Sequence, residues 1–117
     1  INEKMIENVR HLEPIFMGGL KNFEDLEFIG ESRGIGLMGA LEMVQDKKNK
    51  LPFDGSISIG ERVANKCIEN GLICRPLGPS IVLCPPFITS EEEMGIIFDT
   101  LEKTLKEVFS EVKSLGQ

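Results

Sequence analysis

Two stripes of helical period bracket a middle that glycine and proline keep from being helical, and this arrangement restricts the fold most. The later stripe, Met94, Ile97, Phe98, Leu101, Leu105, Val108 and Val112, recurs every three or four residues. It predicts an amphipathic helix running to about Leu115, too short in its repeat for a coiled coil and so core-facing. Thr89 opens this helix with a capping-box spacing to Glu92, and Glu91, Glu92 and Glu93 suit the positive end of its dipole. The earlier stripe is Met5, Ile6, Val9, Leu12, Ile15, Phe16 and Leu20. It predicts a helix over residues 2–20, kinked or broken near Glu13 by Pro14 and ended by Gly18 and Gly19.

Between the stripes lie short apolar runs. Residues 26–32 and 35–44 read as two strands with a turn near Arg33 and Gly34, because glycines at 34, 36 and 39 would cost a helix about 1 kcal/mol each. Residues 21–25 and 45–55 read as loops, the second lysine-rich and broken by Pro52 and Gly55. Residues 58–70 read as a helix, with Ser58 and Glu61 spaced as a capping box and Asn70-Gly71 as its stop. Residues 72–75 and 80–84 read as strands joined by a turn at 76–79, and Pro85-Pro86 ends the second. The order predicts an α+β fold: a small, mainly antiparallel sheet of about four strands with helices packed on one face.

Charge and composition exclude several classes of function. Thirteen Lys and Arg face 19 Asp and Glu, a net charge of −6 with no dense basic run, which disfavours nucleic acid and anionic membranes as partners. No apolar run approaches the length of a transmembrane helix. There is no Trp, no Tyr and one His, so stacking platforms and His-rich metal sites have no material. The 117 residues make one domain, able to bury roughly two thirds of its unfolded surface. The chain opens in mid-pattern without an initiator Met or signal peptide, as a piece of something longer would. Cys67, Cys74 and Cys84 form no CxxC and read as reduced, mostly packed thiols.

Few residues carry chemistry by type and spacing. Gly34, Gly36 and Gly39 match G-x-G-x-x-G, but no helix starts within the motif and no parallel βαβ unit follows, so close backbone approach or a bulge explains it better than phosphate binding. His11 reads as a surface or boundary histidine. Ser56, Ser58, Ser80 and Ser90 read as turn and cap residues. Lys47, Lys48 and Lys50, with Asp46 and Asp54 beside them, read as a solvated loop. Arg75 differs: at the end of a strand, before a rigid turn, its planar donor can serve a structural salt bridge or a ligand carboxylate.

The ordered segments SRGIGLMGALEMVQDKKNKLPFD (32–54) and ENGLICRPLGPSIVLCPPFITSEEE (69–93) are similar to the C-terminal small domain of class III aminotransferases. These are pyridoxal-phosphate enzymes of fold type I, and the ω-amino acid:pyruvate transaminases resemble the chain most. The resemblance spans essentially all 117 residues. It implies that Arg75 pairs with the substrate carboxylate and swings aside for substrates that lack one. It gives Arg33-Gly34-Ile35-Gly36 and Pro85-Pro86 a structural part in shaping the sheet. It implies a cytoplasmic, homodimeric enzyme that exchanges an amino group between a small-molecule amino donor and a 2-oxo acid. In such an enzyme the Schiff-base lysine and the pyridoxal 5'-phosphate site belong to a large domain. No counterpart of that lysine motif stands here, so the chain alone is expected to bind no cofactor and to be inactive. The competing expectation is a free-standing α+β module that binds a small anionic ligand through Arg75 or the glycine motif.

Overall fold

A computed structural model describes residues 3–85 and 89–115, with the side chains of Glu3 and Met5 outside that description. Helix α1 (Glu3–Asn22) passes into a 3₁₀ turn (Phe23–Asp25) and then into strands β1 (Ile29–Ile35) and β2 (Met38–Met43). After a loop and a 3₁₀ turn (Gly55–Ile57) come helix α2 (Ile59–Glu69), strands β3 (Arg75–Leu77) and β4 (Ser80–Leu83), and helix α3 (Glu91–Ser114). The four strands form one antiparallel sheet in the order β1-β2-β4-β3. Gly39, Leu41 and Met43 of β2, with Ile81 and Leu83 of β4, face the helices and are buried. Met38, Ala40, Glu42 and Val82 alternate with them on a face that the described helices leave open. The predicted α+β sheet with helices on one face is the observed architecture.

Helix α1 neither breaks at Pro14 nor stops at Gly18-Gly19. An interior proline costs about 3 kcal/mol. Leu12, Phe16 and Leu20, all essentially fully buried, each return about 1.5–3 kcal/mol by leaving water. Continuing the helix keeps all three on the sheet. Gly19 is a contact residue, since a Cβ there would drive into the Phe98 ring of α3. Phe98 also lies 5.9 Å from Phe16 and 5.9 Å from Phe23, centroid to centroid. Residues 21–25, expected as a loop, complete the helix and the 3₁₀ turn.

The first hairpin turn lies further along the chain than predicted, and the second falls within its predicted range of 76–79. Ile35 pairs with Met38, so the first turn is Gly36-Leu37 and not Arg33-Gly34. Leu77 pairs with Ser80, so the second is Gly78-Pro79. Each places a glycine with φ of +58° first in a two-residue loop, a conformation that costs other residues a steric penalty. Strand β3 accordingly begins at Arg75 instead of ending there.

The helix caps also shift. Thr89 is buried and its carbonyl accepts from the Asn8 amide, 3.1 Å away on α1. Ser90 is therefore the N-cap of α3, and it forms the capping box with Glu93, both bonds 3.1 Å. Ser58 makes no box with Glu61. It sits in the left-handed region, where its hydroxyl donates back to the Gly55 carbonyl at 3.4 Å, whereas a side-chain cap needs extended backbone. The predicted stop at Asn70-Gly71 forms as a Schellman pair: Leu72 N–H to the Cys67 carbonyl at 2.7 Å and Gly71 N–H to the Ile68 carbonyl at 3.0 Å. The Asn70 amide then donates to Thr104 and Glu107 of α3, at 2.9 and 3.1 Å. Of the predicted Pro85-Pro86 strand stop, Pro86 lies outside the described residues.

Gly60 is the contact between α2 and the β3-β4 hairpin. A Cβ there would strike the Gly78 carbonyl oxygen and crowd the Ser80 carbonyl. Backbone atoms cannot rotate away, so the overpacking cost of about 1–3 kcal/mol exceeds the roughly 1 kcal/mol of helix propensity that alanine gains. Gly60→Ala is expected to lower the urea midpoint; a raised midpoint would show that the hairpin yields.

The three cysteines are unbonded thiols. Cys67 and Cys74 are buried against each other, and their hydrogen bond, with burial, pushes the Cys74 thiol up. The expectation of mostly packed thiols thus holds for two of the three, and Cys84, just past β4, is exposed, following Val82 onto the open face. Native alkylation should modify Cys84 promptly and leave Cys67 and Cys74 for denaturant, as peptide mass mapping would show.

Candidate functional site

The register draws one row across the open face. Arg33 of β1 lies opposite Ala40 of β2, Ala40 opposite Val82 of β4, and Val82 opposite Arg75 of β3. Residues paired this way share a face of the sheet. Two arginines therefore stand at the two edges of the open face, with small or β-branched residues between them. Ile35 and Met38, also on this face, are exposed apolar residues.

The two arginines are held very differently. Arg33 Nη1 lies 2.7 Å from a Glu31 carboxylate oxygen and 3.2 Å from one of Glu42. The Glu42 hydrogen bond first, then Glu31, raises its pKa further above an already high ordinary value. Arg75 is exposed and makes no ion pair among the described residues. Of its two sequence readings, the structural salt bridge is thus not formed within these residues. A guanidinium with five donors and no acceptor is presented on a rigid strand beside a tight turn. Such a group can bind a carboxylate with two parallel hydrogen bonds. The Glu31–Arg33–Glu42 cluster went unnoticed in the sequence because the predicted turn put Arg33 at its tip. Alternation of Glu31 and Arg33 opposite Glu42 becomes visible only with the turn at Gly36-Leu37.

The other candidates have structural employment. Gly34 and Gly39 lie where a Cβ would meet Met17, and Leu20 and Phe16, respectively. The Gly36 N–H donates to the Glu13 carboxylate at 2.8 Å, which places a negative charge where a phosphate would have to bind. The close backbone approach expected of the glycine motif is what forms; the sheet's one register shift lies earlier, between Ile29 and Glu31. His11 is exposed and bonds Glu91 at 2.5 Å, joining α1 to the start of α3. Ser56 donates to Asp54, Ser80 is buried in β4, and Ser90 is the α3 cap. The Asp46 carboxylate fastens its loop through the Lys48 and Asn49 amides. Its pKa is held below the ordinary carboxylate range chiefly by Asn49.

Pyridoxal phosphate needs a lysine free to form an imine, an acid at the ring nitrogen and a phosphate cradle together. The groove that gathers lysines is bordered by Glu27, Phe28, Asp46, Lys47, Lys48 and Lys113. There Lys47 is bonded to the Glu24 and Leu26 carbonyls, and Lys113 pairs with Glu27 at 2.5 Å. Lys66 and Lys106 are paired with glutamates on α3. The described residues thus present one exposed arginine with no ion pair among them on the open face of the sheet.

Comparison with known proteins places this geometry. The model of the family Aminotransferase class-III matches residues 1–105. The chain is 58% identical to an ω-aminotransferase of known structure from Paracoccus denitrificans, with a TM-score of 0.92, covering 96% of this chain and 25% of that one. A PLP-bound aminotransferase mutant from Vibrio fluvialis is 56% identical, with a TM-score of 0.92 and the same coverage of 96% and 25%. The adenosylmethionine-8-amino-7-oxononanoate aminotransferase of Methanocaldococcus jannaschii is 37% identical over 105 residues, 90% of this chain and 23% of that protein. The chain therefore spans about a quarter of the length of these relatives. With a family model that runs through both hairpins and Arg75, and ω-aminotransferase structures that superpose on nearly all of it, the chain belongs to the class III aminotransferases.

Proposed function

We propose that the whole protein is a pyridoxal-phosphate-dependent transaminase that moves an amino group between an amine or ω-amino acid and a 2-oxo acid such as pyruvate. In this reading the chain is the C-terminal small domain, which closes over the substrate while Arg75 holds its carboxylate. The observation that carries it is Arg75 itself: an unpaired guanidinium on the open face of the sheet, in a chain 58% identical to an ω-aminotransferase. In this reading the cofactor and its lysine belong to the part of the enzyme beyond this chain, which spans about a quarter of its relatives' length. The active enzyme is a cytoplasmic homodimer, and the isolated chain is inactive.

Arg75 suits selection between substrates that carry a carboxylate and those that do not. Its charge and planar fork bind the first kind in two places. Its flexible stem can lie along the apolar surface of the open face when a neutral group must be admitted.

Losing one partner of a desolvated charge pair costs about 2 kcal/mol or more, roughly thirtyfold. Arg75→Ala in the full-length enzyme should therefore reduce kcat/KM for pyruvate at least that much while sparing a simple amine. Equal losses for both would remove Arg75 from the site. The isolated chain, mixed with pyridoxal phosphate and borohydride, should show no stoichiometric adduct at one lysine by mass spectrometry; such an adduct would place the cofactor site here.

A further inference from the structure

We propose that Arg33 is a positioning residue that keeps Arg75 free for substrate by holding Glu42, the acidic side chain best placed to capture it. The inference rests on the reading of Arg75 as the carboxylate partner, and its own support is the layout of the open face. Glu42 and Ala40 are alternate residues of β2, so Glu42 shares the face of the Arg33–Ala40–Val82–Arg75 row. It stands two strands across and two residues along from Arg75. With strands about 4.8 Å apart and a rise of about 3.3 Å per residue, the two Cα atoms are about 12 Å apart. An extended arginine and glutamate together span that distance. Glu31 is a further strand away, on β1. Asp54 and Glu61 border a cleft with Pro76, which pairs with Ile81 of the covered face, opposite Arg75.

Glu42 turns the other way because Arg33 lies 3.2 Å from its carboxylate, and Glu31, at 2.7 Å, fixes the same Arg33 nitrogen. Ion pairs this exposed add little stability, so stability does not explain a three-member cluster on a sheet face. Its effect is on availability. Without Arg33, Glu42 would be left without a counter-charge on a face where Arg75 is the other cation of the row. An internal Arg75–Glu42 pair would occupy the guanidinium that the substrate carboxylate needs. Apparent affinity falls by the fraction of molecules still competent. If nine in ten molecules held Arg75 in that pair, the KM for a carboxylate substrate would rise about tenfold.

The test uses the full-length enzyme with pyruvate and a simple amine. Arg33→Met is expected to raise the pyruvate KM about tenfold, leaving kcat and the amine KM unchanged, and Glu42→Gln in the same chain should restore it. A rise in both KM values alike, or a double variant that stays impaired, would overturn the proposal, because loss of a merely structural arginine is not rescued by neutralising one glutamate. Should Arg33→Met not accumulate as folded protein, Glu42→Gln alone decides: its pyruvate KM should equal or fall below that of the parent, and an increase would overturn the proposal. Arg75→Ala measured in parallel separates the two ideas. If it fails to distinguish pyruvate from the amine, the reading of Arg75 fails; if it does distinguish them and Arg33→Met does not, the positioning role alone fails.

Discussion

The register of β2 decides the face of nearly every functional side chain, and Gly39 is what locks it. Phe16 and Leu20 of α1 lie where a Cβ of residue 39 would be, so the strand can approach α1 this closely only with glycine there. Leu41 and Met43 then follow Gly39 onto the covered face, and Ala40 and Glu42 take the open one. Because β2 pairs with both β1 and β4, its phase passes to the whole sheet. A slip of one residue would turn Leu41 and Met43 outward and send Glu42 into the core, exchanging buried apolar area for a buried charge. The placement of Arg75 is thus fixed from two strands away by a packing contact that never touches it.

A second constraint sits where α2 meets the other hairpin. Gly60 lets the helix lie against the Gly78-Pro79 turn. The Schellman ending of α2 reverses the chain directly into Leu72, and β3 starts at Arg75 three residues later. The Asn70 amide bonds to Thr104 and Glu107 tie that reversal to α3, which is buried along Leu101, Leu105, Val108 and Val112. Arg75 is therefore mounted on a short strand whose approach is anchored to the longest helix. The stem can rotate while its root does not, which is the combination a side chain needs if it is to hold one substrate and give way to another.

How much of this could be read in the sequence follows the physics of each signal. The helical stripes were legible because burial along one face repeats at a fixed period, and both long helices form. The first hairpin turn lies away from its expected place because three glycines in six residues offer several turns of similar quality, and Leu37, apolar and buried, hides a turn position as a strand residue; the second falls within 76–79, where Pro-Leu-Gly-Pro leaves little choice. The two capping boxes failed for opposite reasons. Thr89 has the right spacing but is drawn into the core by Asn8, and Ser58 has it but enters its helix from a 3₁₀ turn in the wrong conformation. Of the kink or break that Pro14 implies, the break does not form, because the tertiary burial along α1 outweighs local propensity. Arg75 stands out in the sequence by residue type, position and family resemblance. Arg33 does not, because its part depends on a register that only the correct turn reveals.

The contrast between these two arginines bears on how an active-site face can be built from charges. An arginine left unpaired beside carboxylates of its own chain is open to capture by them, since a local partner is present at higher effective concentration than a dilute substrate. A chain with 19 acidic residues has to manage that competition wherever it offers a cation to a ligand. Distance manages part of it, by placing Asp54 and Glu61 on Pro76's side of the sheet. Neutralisation manages the rest, by holding Glu31 and Glu42 on a second arginine at the far edge. That second arginine contacts no substrate in this scheme, and its worth would not register in a stability measurement. It would register as affinity for carboxylates, because what it protects is the fraction of molecules in which Arg75 is unoccupied.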